Sequence, residues 1–335
     1  MTQIDPNLTF TAPFPLRVGL VGTGYVSKIR ASILQNDSRA RLVAIAGHLP
    51  ETTATMAQSL GIDAAISWRK LIEREDIDLV IIANVNVDHG PIARAALENG
   101  KHVIVEYPLA LDAEEGEKII NLATKRNLLL HVEHIELLGG LHNVIKQYLP
   151  VIGQVFYARY ITITKKNPAP LSWSYQKSLF GFPLIGALSR VQRFTDLFGT
   201  VKSINCHTIY GDRDADFFSS VFCHAQLKFS PNLLGEIIYG KGENFGQSEN
   251  QFTLYGEQGT LIMTPEKGEL IQGENRQIID IPTRQGLFAK DTTMVLDHLF
   301  NGTPLYTTPQ ASLYALKIAQ EAARSSSLNQ TIYLE

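Results

Sequence analysis

Cysteine is scarce in this chain: 2 among 335 residues, Cys206 and Cys223, far apart and without metal-ligand spacing. That argues against a disulfide scaffold and predicts two buried thiols kept reduced in a cytoplasmic setting. Long apolar runs are missing too. None approaches the ~20 residues that cross a bilayer as a helix, so no membrane partner is expected. Residues 1–15 have neither a basic start nor an apolar run, which predicts no secretory signal and a flexible arm over 1–14. Blocks of basic residues are absent and the formal charge is −3. Nucleic acid is therefore not an expected partner, and an anionic substrate has to find local cations. There is no internal repeat or low-complexity tract. What remains is 44% hydrophobic and 19% charged, the composition of a globular enzyme long enough for two domains.

The first part alternates short apolar strands with helical periodicity. Strands are expected at 16–21, 41–46, 79–83, 102–106 and 128–132, with a brief extended piece at 65–67. Helices are expected at 25–35, 50–60, 68–74, 92–98 and 113–126. Such alternation implies a parallel sheet with right-handed crossovers. After about residue 150 the pattern changes. Segments 155–164, 201–209, 222–229, 234–239, 252–255 and 260–263 read as strands of a mostly antiparallel sheet, with Gly240-Lys241-Gly242 as a turn. One helix is expected at 182–197, and two more, near 290–300 and 309–325, follow. The fold class is thus α/β: a Rossmann dinucleotide-binding domain at 15–133 and an α+β domain at 134–335 for substrate, whose last helix could pack back on the first domain.

The first strand runs into Gly22-Thr23-Gly24-Tyr25-Val26-Ser27. The first glycine permits a tight turn, and the second lets the backbone approach a pyrophosphate held by the amides of the next helix. The third glycine position holds Ser27, small enough for close helix–strand packing. An acid at the end of the second strand would accept from an adenosine 2′-hydroxyl. Here the strand ends Ile45-Ala46-Gly47-His48, which favours a 2′-phosphate, hence NADPH with NADH as the lesser option. His48 is either a contact to that phosphate or a solvated loop residue.

The segment Gly100-Lys101-His102-Val103-Ile104-Val105-Glu106-Tyr107-Pro108, together with the stretch from Asp78 through Ala83, Asn84 and Asn86 to His89, resembles the glucose–fructose oxidoreductase and inositol dehydrogenase family. The resemblance covers nearly the whole chain. It implies that Ala83, Asn84, Asn86, His89 and Glu106 join the glycine loop around the cofactor. Most members place Lys between that Glu and Pro, and sugar-oxidising members add an Asp and a His on a helix of the second domain. This chain has Tyr107 instead, with Ile185 and Ser189 at the other two positions. Oxidising an alcohol requires a group to take the hydroxyl proton, and all three usual polar groups are missing.

Other segments resemble the biliverdin reductase branch of the same family: 105–111, 131–140, 155–160, 167–170, 181–183 with 188–190, 194–199 and 238–243. That resemblance implies NADPH-dependent hydride addition to the central methine carbon of biliverdin, an anionic linear tetrapyrrole, and protonation of a pyrrole nitrogen. It places Arg190 near the pyrrole nitrogens. Two roles are open to Arg190: donating to the reduced nitrogen with replacement from water, or holding charge and orienting a water or propionate. The second is preferred, because a guanidinium stays protonated. Arg193, three residues on, is a second cation or an ion-pair residue. Tyr107, at a strand end, is a positioning group or a proton donor. Glu133 and His134 are candidate scaffolding around nicotinamide and substrate. His131-Val132-Glu133-His134 lacks the spacing of a zinc helix, so no metal is expected. Lys241 and Lys165-Lys166 are either propionate partners or ordinary surface lysines. A sugar or polyol dehydrogenase and a non-catalytic NADPH-binding regulator are the competing readings, and the chain is expected to act as a monomer or homodimer.

Overall fold

The computed structural model describes residues 13–229 and 232–334, so most of the arm expected over 1–14 lies outside the described residues. The described residues form two compact units, one comprising 13–135 with 286–313 and the other 136–229 and 232–285 with 314–334. The chain thus returns to the first unit for 28 residues after completing most of the second, within the stretch that the sequence reading places wholly in the second domain.

The first unit begins β1 (Leu16–Val21), α1 (Tyr25–Gln35), β2 (Ala40–Ala46), α2 (Pro50–Leu60), β3 (Asp63–Ala64) and α3 (Trp68–Ile72). It continues β4 (Leu79–Ile82), α4 (Asn86–Glu98), β5 (His102–Glu106), α5 (Ala113–Arg126) and β6 (Leu130–Glu133). The sheet is parallel in the order β3-β2-β1-β4-β5-β6. Its central strand β4 is buried at every residue, which is why it reads as a continuous apolar run. The order reverses between β1 and β4, the point where open α/β sheets hold ligands.

The second unit opens with α6 (Gly140–Ile152) and β7 (Val155–Lys165), followed by α7 (Lys177–Phe180), α8 (Pro183–Gly186) and α9 (Ser189–Phe198). Then come β8 (Val201–Asp212), β9 (Phe218–Phe229), β10 (Leu233–Gly242), β11 (Glu249–Gly256), β12 (Gly259–Met263), β13 (Lys267–Gln272) and β14 (Asn275–Asp280). Helix α10 (Leu287–Asn301) belongs to the first unit, where Val295, Leu296 and Leu299 join the core built on Leu16, Val18 and Leu20. Helix α11 (Pro309–Leu328) and β15 (Ile332–Tyr333) end the described chain. The nine-stranded sheet runs β14-β13-β12-β11-β7-β10-β9-β8-β15, antiparallel except for the β7–β10 pair.

Three expectations change. The helix expected at 182–197 is broken into α8 and α9, because Pro183 starts one turn and Ala187 leaves helical geometry before α9 begins. Gly240-Lys241-Gly242 is not a turn but the end of β10. There Gly240 leaves room for the Phe245 ring, and Gly242, at φ +122°, leaves room for the Ser219 backbone. Helix α6 was unforeseen, since its Gly139-Gly140 start and internal Pro150 obscure the periodicity. No helix among the described residues is long and apolar enough to cross a membrane.

Candidate active site

In the first unit β1 delivers the glycine loop to the switch point. Gly22 sits at φ +124°, and a Cβ there would lie 2.2 Å from the Ala83 carbonyl oxygen, so only glycine fits. Gly24 is the residue preceding α1, and a Cβ on it would meet nothing within 4 Å. No side chain caps α1 and no acid stands in its first turn. Its leading amides therefore keep their affinity for an anion. Ser27, at the third glycine position, is buried and its hydroxyl donates to the Ala83 carbonyl at 3.2 Å, tying α1 to the end of β4. Thr23 packs beside Gly47, and His48 follows, exposed, beyond β2. This cradle fits a dinucleotide: glycines where backbone must be approached, an uncapped helix start, and no carboxylate before Glu51.

Asn84 and Asn86 begin the loop and helix that follow β4. Asn84 Nδ2 donates to Asp88 at 3.3 Å, while its Oδ1 is buried without a partner among the described residues. His89 differs from expectation. It is buried, with Nδ1 2.8 Å from the Pro108 carbonyl and Nε2 3.3 Å from the Asn84 carbonyl. Burial lowers its pKa against the opposing pull of the two carbonyls, and the ring is enclosed between two loops rather than an open cofactor contact.

Beneath this edge lies a buried polar network that the sequence reading missed. Arg30 on α1 is fully buried and donates to Glu106 at 2.9 Å, to Asp291 at 2.5 Å and to Thr292 at 2.8 Å. Asp291 also receives Tyr306 Oη and faces His131 Nε2, both at 2.8 Å. Burial opposes ionisation of Asp291, but the Arg30 charge and the hydrogen bonds from Arg30 and His131 overcome it and hold the carboxyl well below its usual range. Glu106 and Glu133 are register partners on β5 and β6. Burial, then the neighbouring Glu106 charge, pushes Glu133 well above the usual carboxylate range, so it stays protonated beside Glu106. Glu133 also accepts the Ile135 N–H.

Tyr107 follows β5, half-buried, its ring stacked on His134 with centroids 5.2 Å apart and planes 6° off parallel. His134 Nε2 meets Ser312 Oγ at 2.8 Å. Burial, with His131 nearby, lowers its pKa to about 3. A neutral imidazole thus backs the tyrosine ring. Tyr107, Glu106, Glu133 and His134 are brought together where β5 and β6 end, although the sequence assigns Glu106 to the cofactor and the other three to the substrate. One signal for Arg30 was available: Ser27, Arg30, Ala31 and Leu34 form the buried stripe of α1. A charged residue on that stripe needs a buried partner.

In the second unit α9 lies on the sheet, with Phe194 against Phe252 (centroids 5.1 Å apart) and filling the space above Gly235. Arg190 and Arg193 share that side of the helix. Arg190 donates to Ser189 Oγ at 2.9 Å and Thr162 Oγ1 at 3.3 Å, its guanidinium carbon 5.7 Å from the Tyr239 ring centroid. Arg193 is 1% exposed and donates to Glu136 at 3.0 Å, 5.5 Å over Tyr160. Ile185 and Ser189 are both buried, and Ile185 offers no polar group.

Lys241 requires correction as a substrate partner. Its ammonium is enclosed, 3.6 Å from the Phe180 ring centroid, 4.6 Å from Tyr175 and 5.2 Å from Phe218, and it donates to the Ser174 carbonyl. Burial, then the Arg190 charge, lowers its pKa to about 7. Its partners are ring faces and a carbonyl, and it tethers 174–180 to β10. His131 and His134, the pair that looked metal-like in sequence, bond instead to Asp291 and Ser312.

Residues 16–134 match the family described as "Oxidoreductase family, NAD-binding Rossmann fold", and residues 149–334 match its "C-terminal alpha/beta domain". The solved structure of biliverdin reductase from Synechocystis sp. PCC 6803, in complex with biliverdin and NADP+, is similar at 49% identity and TM-score 0.92, covering 93% of this chain and 99% of that one. Mouse biliverdin reductase A is 28% identical over 92% of this chain and 95% of its own length. Levoglucosan dehydrogenase of Pseudarthrobacter phenanthrenivorans is 32% identical, but over only 52% of this chain and 48% of its own.

Proposed function

This chain belongs to the oxidoreductase family with an NAD-binding Rossmann fold, and from that premise we propose that it reduces biliverdin to bilirubin with NADPH. The observation that carries the reading is the likeness, at 49% identity over both units, to a biliverdin reductase holding biliverdin and NADP+. The chemistry of this chain's own residues supports it. A linear tetrapyrrole accepts hydride at a conjugated methine carbon, which needs no base for a hydroxyl proton. Tyr107, Ile185 and Ser189 are then no handicap, whereas a sugar dehydrogenase would lack its proton acceptor.

Gly22, Thr23, Gly24, Tyr25 and Val26, with Ala83, Asn84 and Asn86, are the residues to hold the dinucleotide, and His48 stands where a 2′-phosphate would be met. NADPH, when bound, supplies the hydride. Glu106, fixed by Arg30, keeps the loop after β5 in shape, and Tyr107, backed by neutral His134, presents a rigid ring for positioning. Arg190 holds the negative charge that develops on the pyrrole system and orients the proton donor, while its own proton stays in place. The reaction belongs in a reducing cytoplasm, where Cys206 and Cys223 remain thiols.

Absorbance separates the readings. Purified protein with NADPH should remove the long-wavelength biliverdin band and raise the bilirubin band, faster than with NADH. Arg190→Ala should slow this by about 100-fold, the scale of one lost charge-stabilising donor. Sugar-dependent reduction of NADP+ instead would make the chain a dehydrogenase. NADPH binding without turnover of bilin or sugar would make it a regulator.

A further inference from the structure

The chain leaves the second unit after Gln285, runs 28 residues in the first and then goes back. Apolar burial explains part of this return, since Val295, Leu296 and Leu299 fill the core and Leu305 packs against it. It does not explain why two polar side chains of the same stretch, Tyr306 and Ser312, both end on His134 behind Tyr107. Helix α10 stops at Gly302, in the left-handed region at φ +70°. Leu305 then anchors the connection, and Tyr306 arrives at the end of β6. Its hydroxyl uses both of its capacities there: it donates to Asp291 Oδ1 at 2.8 Å and accepts the His134 N–H at 2.9 Å. Burial, then the Asp291 charge, raises the Tyr306 pKa well above its ordinary value, so the phenol keeps the proton it donates. The Tyr306 ring also meets His131 edge to face, 5.5 Å between centroids at 73°.

The second hold comes from the start of α11. Thr308 Oγ1 accepts the Ala311 N–H, capping the helix, and buried Ser312 in the first turn places Oγ 2.8 Å from His134 Nε2. His134 Nδ1 is buried with no hydrogen-bond partner among the described residues. A buried N–H left without an acceptor is rarer than a buried acceptor left without a donor. The imidazole proton therefore sits on Nε2 and is given to Ser312 Oγ. With its backbone held by Tyr306 and its far ring nitrogen by Ser312, His134 has a set ring plane, and Tyr107 stacks on that plane at 6°. We infer that Tyr306 and Ser312 are positioning residues for the reduction: they fix the His134 imidazole, and through it the plane of the Tyr107 ring. The inference rests on the bilin reading above and adds two residues that act through Tyr107. A misplacement of about 1 Å at a reacting centre costs about 100-fold in rate, so half of that costs about tenfold.

The test uses the full chain and its Tyr306→Phe, Ser312→Ala and Ser312→Thr variants, each held below its melting range as fixed by circular dichroism. Two quantities are read. One is the NMR shift of the Tyr107 ring protons in tyrosine-labelled protein, assigned with Tyr107→Phe. The other is the single-turnover rate of NADPH oxidation with NADPH and biliverdin both saturating. Tyr306→Phe and Ser312→Ala should each move the Tyr107 signals and slow hydride transfer by about tenfold, with the Kd for NADPH unchanged. Ser312→Thr, which keeps the hydroxyl, should restore both. Tyr306→Phe removes one oxygen and no packing carbon, so it reads the positioning even if the buried Ser312 variants unfold. Tyr107 signals unmoved in Tyr306→Phe, or hydride transfer at the unmodified rate, overturn the inference and leave the two residues a purely structural part. If the unmodified chain leaves biliverdin unreduced, the bilin reading falls by itself. Tyr107 signals that move in Tyr306→Phe then still support the positioning, and unmoved ones still overturn it.

Discussion

Replacing Arg30 by Met isolates the buried network that supports the cofactor edge. The side chains have similar length, so packing against Phe288, now 5.1 Å from the guanidinium carbon, is largely kept. What is lost is the counter-charge of two carboxylates. Asp291 is 0% exposed and would keep His131 and Tyr306 on Oδ1 but lose Arg30 on Oδ2. Glu106 would lose the cation that pairs it. Removing one member of a buried ion pair costs roughly 3–5 kcal/mol, because the remaining charge stays desolvated. For a unit of this size each kcal/mol lowers Tm by about 2–4 °C. The expected fall is therefore about 6–20 °C, read by circular dichroism at pH 7. Arg39→Met is the control. Its pairs with Asp37 and Asp297 have side chains 20–34% exposed, and such pairs are worth about 1 kcal/mol or less. A fall below about 2 °C for Arg30→Met, or one no larger than the control's, would refute the view that this network is structural.

Gly22→Ala should abolish NADPH binding and lower stability, since the new methyl would strike the Ala83 carbonyl. Gly24→Ala, facing open space, should keep Tm within about 2 °C yet weaken NADPH in a fluorescence titration. Acid should destabilise the first unit before its carboxylates titrate. His134 has a folded-state pKa of about 3 against the unfolded 6.5, so its contribution is intact above pH 6.5 and is lost as pH falls towards 3. At pH 5 the loss is roughly 2 kcal/mol, and His134→Gln should flatten the Tm–pH curve in that range. Lys241 has a folded pKa of about 7 against 10.5, so below pH 10.5 its protonation favours the unfolded chain until pH 7 is reached. Lys241→Met should therefore raise Tm more at pH 7 than at pH 10 and leave the KM for biliverdin unchanged; a raised KM would restore Lys241 as a substrate contact.

Local features were legible. The glycine loop, the β4 run and the Glu106-Tyr107 strand end are each written within one strand and the turn after it, where period and turn chemistry decide the outcome. The strand β14 was not, because as a polar sheet edge it lacks an apolar face. Nor were pairs separated by long chain distances. Arg30 meets Asp291 across 261 residues, and Arg284 meets Glu136 across 148, through packing that no periodicity reports. Lys241 was misread for a related reason. Glycines on both sides look like a turn, yet here they admit Phe245 and the Ser219 backbone into a strand.

The most direct test of the account is where the hydride goes. A reaction of biliverdin with the chain and NADPH carrying deuterium at the transferable position should yield bilirubin with one deuterium at the central methine carbon, seen by mass spectrometry and by NMR. Bilirubin without deuterium at that carbon, or biliverdin left unchanged while the labelled cofactor is bound, would contradict it.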